Sequence, residues 1–115
     1  MPPDARDPAY LWDMLDAALA IQDFTSDATF HSYADNKMMR SAVERQLEIL
    51  GEAARRISTA FKEEHPEIGW RQIVGLRNVL AHEYGDIRQE RIWQIVSRDL
   101  PALIEQLNPL VPPRP

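Results

Sequence analysis

Apolar residues recur every three or four positions along most of this chain, which is the spacing of amphipathic α-helices. A first helix is predicted to begin at Asp7-Pro8, where an N-cap residue precedes a proline at the first helical position. This helix is predicted to run to about Phe24. The stretch 25–36 is mixed and polar, so we predict a loop that holds one short helical turn.

A second, longer helix is predicted from a cap at Asp35 or Asn36 to the break at His65-Pro66, because the residue before a proline avoids the α region. Its apolar positions step by four and three residues, which is typical of helix-bundle packing. These positions are Val43, Leu47, Leu50, Ala54, Ile57 and Phe61. The pattern along this helix shows no β alternation.

Two further helices are predicted after a turn at residues 66–69. The third helix is predicted from Trp70 to Ala81, and we expect Gly85 to end it in a left-handed conformation. Asp86 is expected to cap the fourth helix at its N-terminus.

The fourth helix carries a proline inside its apolar stripe. The stripe runs from Ile92 to Leu107, and Pro101 lies within it. Because proline removes a backbone donor and its ring clashes with the preceding turn, we predict a kink or a restart near Asp99-Leu100.

Size and composition fit one folded domain. The chain has 115 residues, and 44 % of them are hydrophobic, which is enough for a core. We therefore expect an all-α, up-and-down bundle of four to five helices over residues 1–115, with 1–7 and 108–115 as frayed tails. There is no cysteine, which excludes a disulfide scaffold, a zinc–thiolate site and cysteine catalysis.

The lack of a membrane-spanning run and the net charge of the chain limit the kinds of function that the sequence predicts. No apolar run reaches the roughly eighteen residues that would span a membrane, and the first residues do not resemble a signal peptide, so a cytoplasmic protein is expected. The net charge is −5, which argues against non-specific nucleic-acid binding. Seven aspartates against one arginine place that acidity in residues 1–36, and a locally basic surface elsewhere stays possible.

The candidate chemistry lies between the third and fourth helices, in the segment 77–86. Asn78 and His82 are four residues apart and lie on one line of a helix. Arg77 and Tyr84 share a neighbouring line if the helix runs that far. Arginine presents a fork of donors to phosphate oxygens, and imidazole titrates near neutral pH, so this group can bind a phosphate and move a proton.

The pattern Arg-x4-His-x-Tyr over residues 77–84 resembles the signature of HEPN-domain toxins of the HepT type. The resemblance covers roughly residues 8–107. Besides the motif, the segments that carry it are Val43–Ala54, Pro66–Trp70 and Trp93–Leu103.

This resemblance implies a ribonuclease toxin that dimerises, with the two Arg-x4-His motifs facing one cleft. It implies that Arg77 and His82 are the catalytic pair, with Asn78 as a supporting polar neighbour. Cleavage in such proteins is taken to need no metal, and we expect no cofactor. The implied partner is a nucleotidyltransferase antitoxin of the MNT type, which places AMP on Tyr84.

Other interpretations of the same residues stay open. His82 would also be favoured as a cap at a helix C-terminus. Arg77 is a candidate ion-pair partner for Glu52, Tyr84 a candidate packing residue, and Asn78 a candidate capping amide. At the level of function, the alternative is a non-catalytic helical module that docks a nucleotidyltransferase or binds a nucleotide.

Overall fold

The computed structural model describes residues 4–115, and within them it contains helices and no strand. The α-helices are α1 (Asp7–Phe24), α2 (Phe30–Asp35), α3 (Lys37–Arg56), α4 (Thr59–Glu64), α5 (Trp70–Val74), α6 (Leu76–His82), α7 (Gly85–Gln94) and α8 (Leu100–Leu107). A π-helical segment, Ile95–Asp99, joins α7 to α8. The all-α prediction is therefore confirmed.

Helices α1 and α3 form the central antiparallel pair. At one end of the pair, the Asp7 carboxylate at the start of α1 accepts hydrogen bonds from Ser58, just beyond the end of α3, at 2.9 Å from its N–H and 2.6 Å from its Oγ. The two helices bury a shared apolar seam, in which Met14, Ile21 and Val43 are fully buried. Burial of this seam contributes to the favourable free energy of folding.

The rest of the chain packs against this pair and completes the bundle. Helices α5 and α6 lie on α3. A Cβ on Gly51 would lie 3.2 Å from the Ile73 carbonyl oxygen, so the glycine allows this close approach. Helix α7 is tied to α3 by an ion pair between Arg88 and Glu44, and α8 packs on α1. None of the helices in residues 4–115 combines the length and apolar character that a membrane span requires.

The second predicted helix is broken where the sequence suggested continuity. Helix α3 ends at Arg56, Ile57 is extended, and α4 begins at Thr59. The physical reason is that Ser58 leaves the helix to bond Asp7, while its Oγ accepts from the Phe61 N–H and caps α4. The prediction of one helix through Phe61 was wrong.

The third predicted helix is also divided, into α5 and α6, with the break at Gly75. Two predicted caps are wrong as well. Asp7 is the first residue of α1 rather than its cap, and it is 3 % exposed because it bonds Ser58. Asp86 lies inside the first turn of α7, and Tyr84 precedes that helix without a side-chain cap. Gly85 does adopt the left-handed conformation, with φ of 58°, but it opens α7 instead of closing α6.

The irregularity predicted around Pro101 is present. The turn before α8, Ile95–Asp99, is π-helical, with α-helix on either side. Pro101 has no N–H and its ring displaces the carbonyl four residues earlier, so a widened turn there relieves the clash.

The C-terminal segment is non-helical, as predicted, but it is held against α1. The Trp12 indole N–H donates to the Pro112 carbonyl at 2.6 Å. The Arg114 guanidinium pairs with Asp16 and lies 5.7 Å from the centre of the Trp12 ring. The expectation of a frayed tail is therefore corrected for this segment, and residues 1–3 lie outside the described part of the chain.

Candidate functional site

Helix α6 has one face toward the core and one toward solvent. Leu76 is buried, and Val79 and Leu80 are half-buried. The four exposed positions of the helix are Arg77, Asn78, Ala81 and His82. The segregation follows from the sequence, since at about 100° per residue the four exposed positions occupy one continuous side of the helix.

The predicted polar residues are only partly brought together within one chain. Asn78 and His82 lie one turn apart on the same line of a continuous helix, as expected. Arg77 begins the other edge of the exposed face, and it is separated from His82 by about 140° around the helix axis. A phosphate held by Arg77 therefore faces a different side of α6 from a group held by His82 in the same chain.

Tyr84 is not on the helix at all. Helix α6 ends at His82, and Glu83 and Tyr84 are extended, so the expected shared line of Arg77 and Tyr84 does not form. The Tyr84 ring is 71 % exposed, and its hydroxyl donates to the Ala81 carbonyl at 3.1 Å. The phenol is thus folded back beside the C-terminal end of α6 and stays open to solvent.

Among the side-chain hydrogen bonds and ion pairs of residues 4–115, none involves the side chain of Arg77 or His82. The alternative pairing of Arg77 with Glu52 is not formed. Glu52 instead accepts from Arg55 and Arg56, and these hydrogen bonds lower its pKa to about 2.

Sequence reasoning missed the contact that anchors the neighbouring helix. Arg88 and Glu44 are 44 positions apart, and both side chains of their ion pair are about one-quarter exposed. Beside them Tyr33 is fully buried, and this burial raises the pKa of its hydroxyl to about 12. The backbone N–H of Arg88 also donates a hydrogen bond to the Tyr84 carbonyl. The ion pair of the Arg88 side chain therefore holds the segment after α6 against α3.

The contact leaves two buried polar atoms, the Tyr33 hydroxyl and the Arg88 Nε, without a hydrogen-bond partner in residues 4–115. No local pattern in the sequence signals such a cluster, because its members come from α2, α3 and α7.

Within residues 4–115, no group of three His, Cys, Asp or Glu side chains is arranged to hold a metal ion.

An all-α bundle that exposes Arg-x4-His on a short helix is the arrangement implied by the resemblance to HEPN-domain proteins. The sequence profile described as Ribonuclease HepT-like matches residues 14–110. This protein therefore belongs to the HepT-like ribonuclease family.

Known relatives agree with this family. A protein of Methanocaldococcus jannaschii, provisionally named an RNase, is 41 % identical over 100 residues, which cover 87 % of this chain and 92 % of the relative. A protein of Thermococcus cleftensis, named probable ribonuclease HepT, is 38 % identical over 94 residues, covering 82 % and 86 % of the two chains. No solved structure matches the chain significantly.

Proposed function

We propose that this protein is the toxin of a toxin–antitoxin pair, an endoribonuclease that cleaves RNA by attack of a 2′-hydroxyl without a metal ion. The observation that supports this most is the exposed and unpaired state of Arg77 and His82 on one helix of a chain in a ribonuclease family. The names of the relatives, which describe RNases, point the same way.

The proposed chemistry uses two side-chain functions. His82 accepts the proton of the 2′-hydroxyl, whose oxygen forms a bond to the adjacent phosphorus. The bond from phosphorus to the 5′ oxygen of the next nucleotide breaks, and that oxygen takes up a proton. Arg77 stabilises the negative charge that builds up on the phosphate oxygens, and Asn78 supplies a neighbouring polar group. The products are a 2′,3′-cyclic phosphate and a free 5′-hydroxyl.

We propose that the active form is a homodimer in which two α6 helices face one cleft. Arg77 and His82 lie at opposite edges of the exposed face of α6, so a second helix would bring an imidazole to the side that carries the guanidinium. Two histidines would also divide the proton transfers, one accepting and one donating. Near α6, Ile87 is 67 % exposed, an apolar side chain that a second copy would cover.

The proposed control acts at Tyr84. An MNT-type nucleotidyltransferase antitoxin would transfer AMP from ATP, with the phenol oxygen bonding to the α-phosphorus and pyrophosphate leaving. The exposure of the ring supports this assignment, since a partner enzyme can reach it. The added phosphate would repel the RNA backbone beside the end of α6.

The catalytic proposal is tested with purified protein and a labelled RNA. Wild type should cleave in EDTA and leave cyclic phosphate ends, and Arg77→Ala and His82→Ala should each lose about 10²–10³ in rate. Circular dichroism of both variants should match wild type, because the two side chains are exposed and unpaired. Arg71→Ala, another exposed arginine, is the matched control. Cleavage that disappears in EDTA and returns with magnesium would contradict the metal-independent mechanism.

The control proposal is tested by intact mass after incubation with the partner enzyme and ATP. Wild type should gain one or more AMP units, Tyr84→Phe should gain none, and the half-buried Tyr10→Phe should behave as wild type. Full modification of Tyr84→Phe would place the acceptor elsewhere. If no protein gains mass and the partner still blocks cleavage, the alternative of a docking surface is the better account.

A further inference from the structure

A charged groove follows α3, and Arg77 of α6 contributes to its lining. It has a volume of about 520 Å³ and is walled by α1, α3, α5 and α6. Four arginines line it: Arg45, Arg55, Arg56 and Arg77. The groove contains one candidate catalytic residue, Arg77, and the chemistry proposed for that residue does not account for the other three arginines.

The arginines are not fully neutralised by their neighbours. Arg55 and Arg56 share the single carboxylate of Glu52, at 2.7 and 3.0 Å from its Oε1, so this group of three keeps one positive charge. Arg45 is paired with Glu48 at 3.5 Å. Four arginines and the three acids Asp13, Glu48 and Glu52 give the lining a balance of +1, in a chain whose net charge is −5.

The positive charge of the groove lies at Arg77 and at the Arg55–Glu52–Arg56 group. Arg77 is unpaired and directly follows Leu76, which lies against Gly51 of α3. The Arg55–Glu52–Arg56 group lies toward the C-terminal end of α3. From Arg45 to Arg56 the groove follows α3 for about 16 Å at 1.5 Å per residue. A volume of this size accommodates a small ligand rather than a duplex. Tyr10 lines the same groove and offers an aromatic face on which a base can stack.

We propose that this groove binds the single RNA strand that flanks the cleaved phosphate, with one backbone phosphate at Arg77 and another at the Arg55–Arg56 pair. The proposal rests on the ribonuclease function and deepens it, because it names the surface that holds substrate beyond the reacting atoms. Arginine side chains shared by one carboxylate keep free N–H donors, so a phosphate can bind there without breaking the existing pairs.

A second groove provides the comparison. It lies between α5–α6 and α7–α8, has a volume of about 600 Å³, and is lined by Arg91, Arg98, Glu67 and Asp99 among mostly apolar residues. Its charged lining residues balance to zero, and neither Arg77 nor His82 lines it. Equal charge changes in the two grooves therefore separate a local effect from the overall charge of the protein.

The experiment measures binding without cleavage. The probe is a fluorescein-labelled 12-nucleotide RNA with 2′-O-methyl groups throughout, which cannot react by 2′-hydroxyl attack, and the readout is fluorescence anisotropy at several salt concentrations. Arg55→Gln/Arg56→Gln should weaken binding on the order of fivefold and make the salt dependence shallower by about 0.7, the loss of one single-strand phosphate contact. Arg91→Gln/Arg98→Gln, the matched control, should stay within twofold of wild type.

A variant that should bind RNA more tightly distinguishes the loss of a charge contact from simple misfolding. Glu52→Gln removes the acid between the two arginines and should tighten binding by a few fold, in the direction opposite to the double arginine variant. Unchanged binding in both Arg55→Gln/Arg56→Gln and Glu52→Gln would overturn the proposal, and so would an equal loss in Arg91→Gln/Arg98→Gln.

The failure of this proposal can be told apart from the failure of the ribonuclease function. If wild type does not cleave RNA while the groove variants change binding as expected, the groove stands and the catalytic proposal falls. If wild type and the groove variants cleave and bind alike, while His82→Ala is inactive, the ribonuclease function stands and the groove proposal falls.

Discussion

Helices α1 and α3 form a thick scaffold, whereas α6 and α7 form a thin layer that carries the candidate functional residues. Helices α1 and α3 each bury six residues. Helix α6 buries only Leu76, and α7 buries only Ile92. The same layer exposes Tyr84 and Ile87, which with Met38 are the most exposed large hydrophobic side chains in the described chain.

The difference separates the source of stability from the location of the chemistry. The α1–α3 pair buries more apolar surface in the core than α6 and α7 do, so the thin layer is free to present polar side chains and a left-handed glycine. Segments with few buried contacts open at lower free energy than the core. We therefore expect scaffold changes to alter stability and changes in the layer to alter activity.

The largest expected effect on stability comes from breaking the scaffold. Leu47 is 1 % exposed, and Leu47→Ala should lower the free energy of unfolding by about 2–5 kcal/mol because it leaves a cavity in the core. Leu19, at 41 % exposure on α1, is the matched control, and Leu19→Ala should change stability by about 0.5 kcal/mol or less. Urea unfolding at one fixed protein concentration measures both, and equal losses would contradict the comparison.

A smaller effect is expected where the two regions are joined. Glu44 on α3 and Arg88 on α7 form a partly buried ion pair, so Glu44→Gln and Arg88→Gln should each destabilise by about 1–2 kcal/mol. Their double variant should lose less than the sum, since the second change removes a group that is already unpaired. Urea unfolding of the two single variants and of the double variant measures these losses. Additive losses would show that the pair does not couple the layer to the scaffold.

An effect of the same order, confined to the backbone of one residue, is expected at the turn that opens α7. Gly85 has a φ of 58°, which costs an alanine about 1–2 kcal/mol. Space is not the reason, because nothing lies within 4 Å of a Cβ added there. Gly85→Asn should cost less than Gly85→Ala, since asparagine tolerates the left-handed region. Thermal unfolding of the two variants checks this order, and the reverse order would mean that the backbone strain is not the cause.

The spacing of residues along the chain predicted the positions of most helices and of the irregular turn. The apolar periodicity gives the positions of α1, α3 and the α7–α8 run, and Pro101 marks the irregular turn before α8. The exposed polar face of α6 was also visible in the spacing of Asn78 and His82. The catalytic and modification roles of the candidate residues stay predictions.

Contacts between distant parts of the chain were not predictable in this way. The break between α3 and α4 depends on Asp7, which lies 51 positions before Ser58. A polar residue near a proline has the same appearance in the sequence whether it caps its own helix or bonds a distant turn. The Glu44–Arg88 pair was also not predictable from the sequence, because only the folded arrangement of α3 and α7 brings the two charges together.

The C-terminal tail has a consequence for engineering this chain. Because Arg114 lies on Asp16, nine residues into α1, the chain end lies about 14 Å along that helix from its start. A linker of about six residues, at roughly 3.3 Å each, would therefore reach from the tail to the residues that precede α1. A variant joined in this way, with new ends opened in the turn between α1 and α2, should keep the fold. A fusion partner appended after Pro115 would in contrast begin against α1 rather than in free solvent.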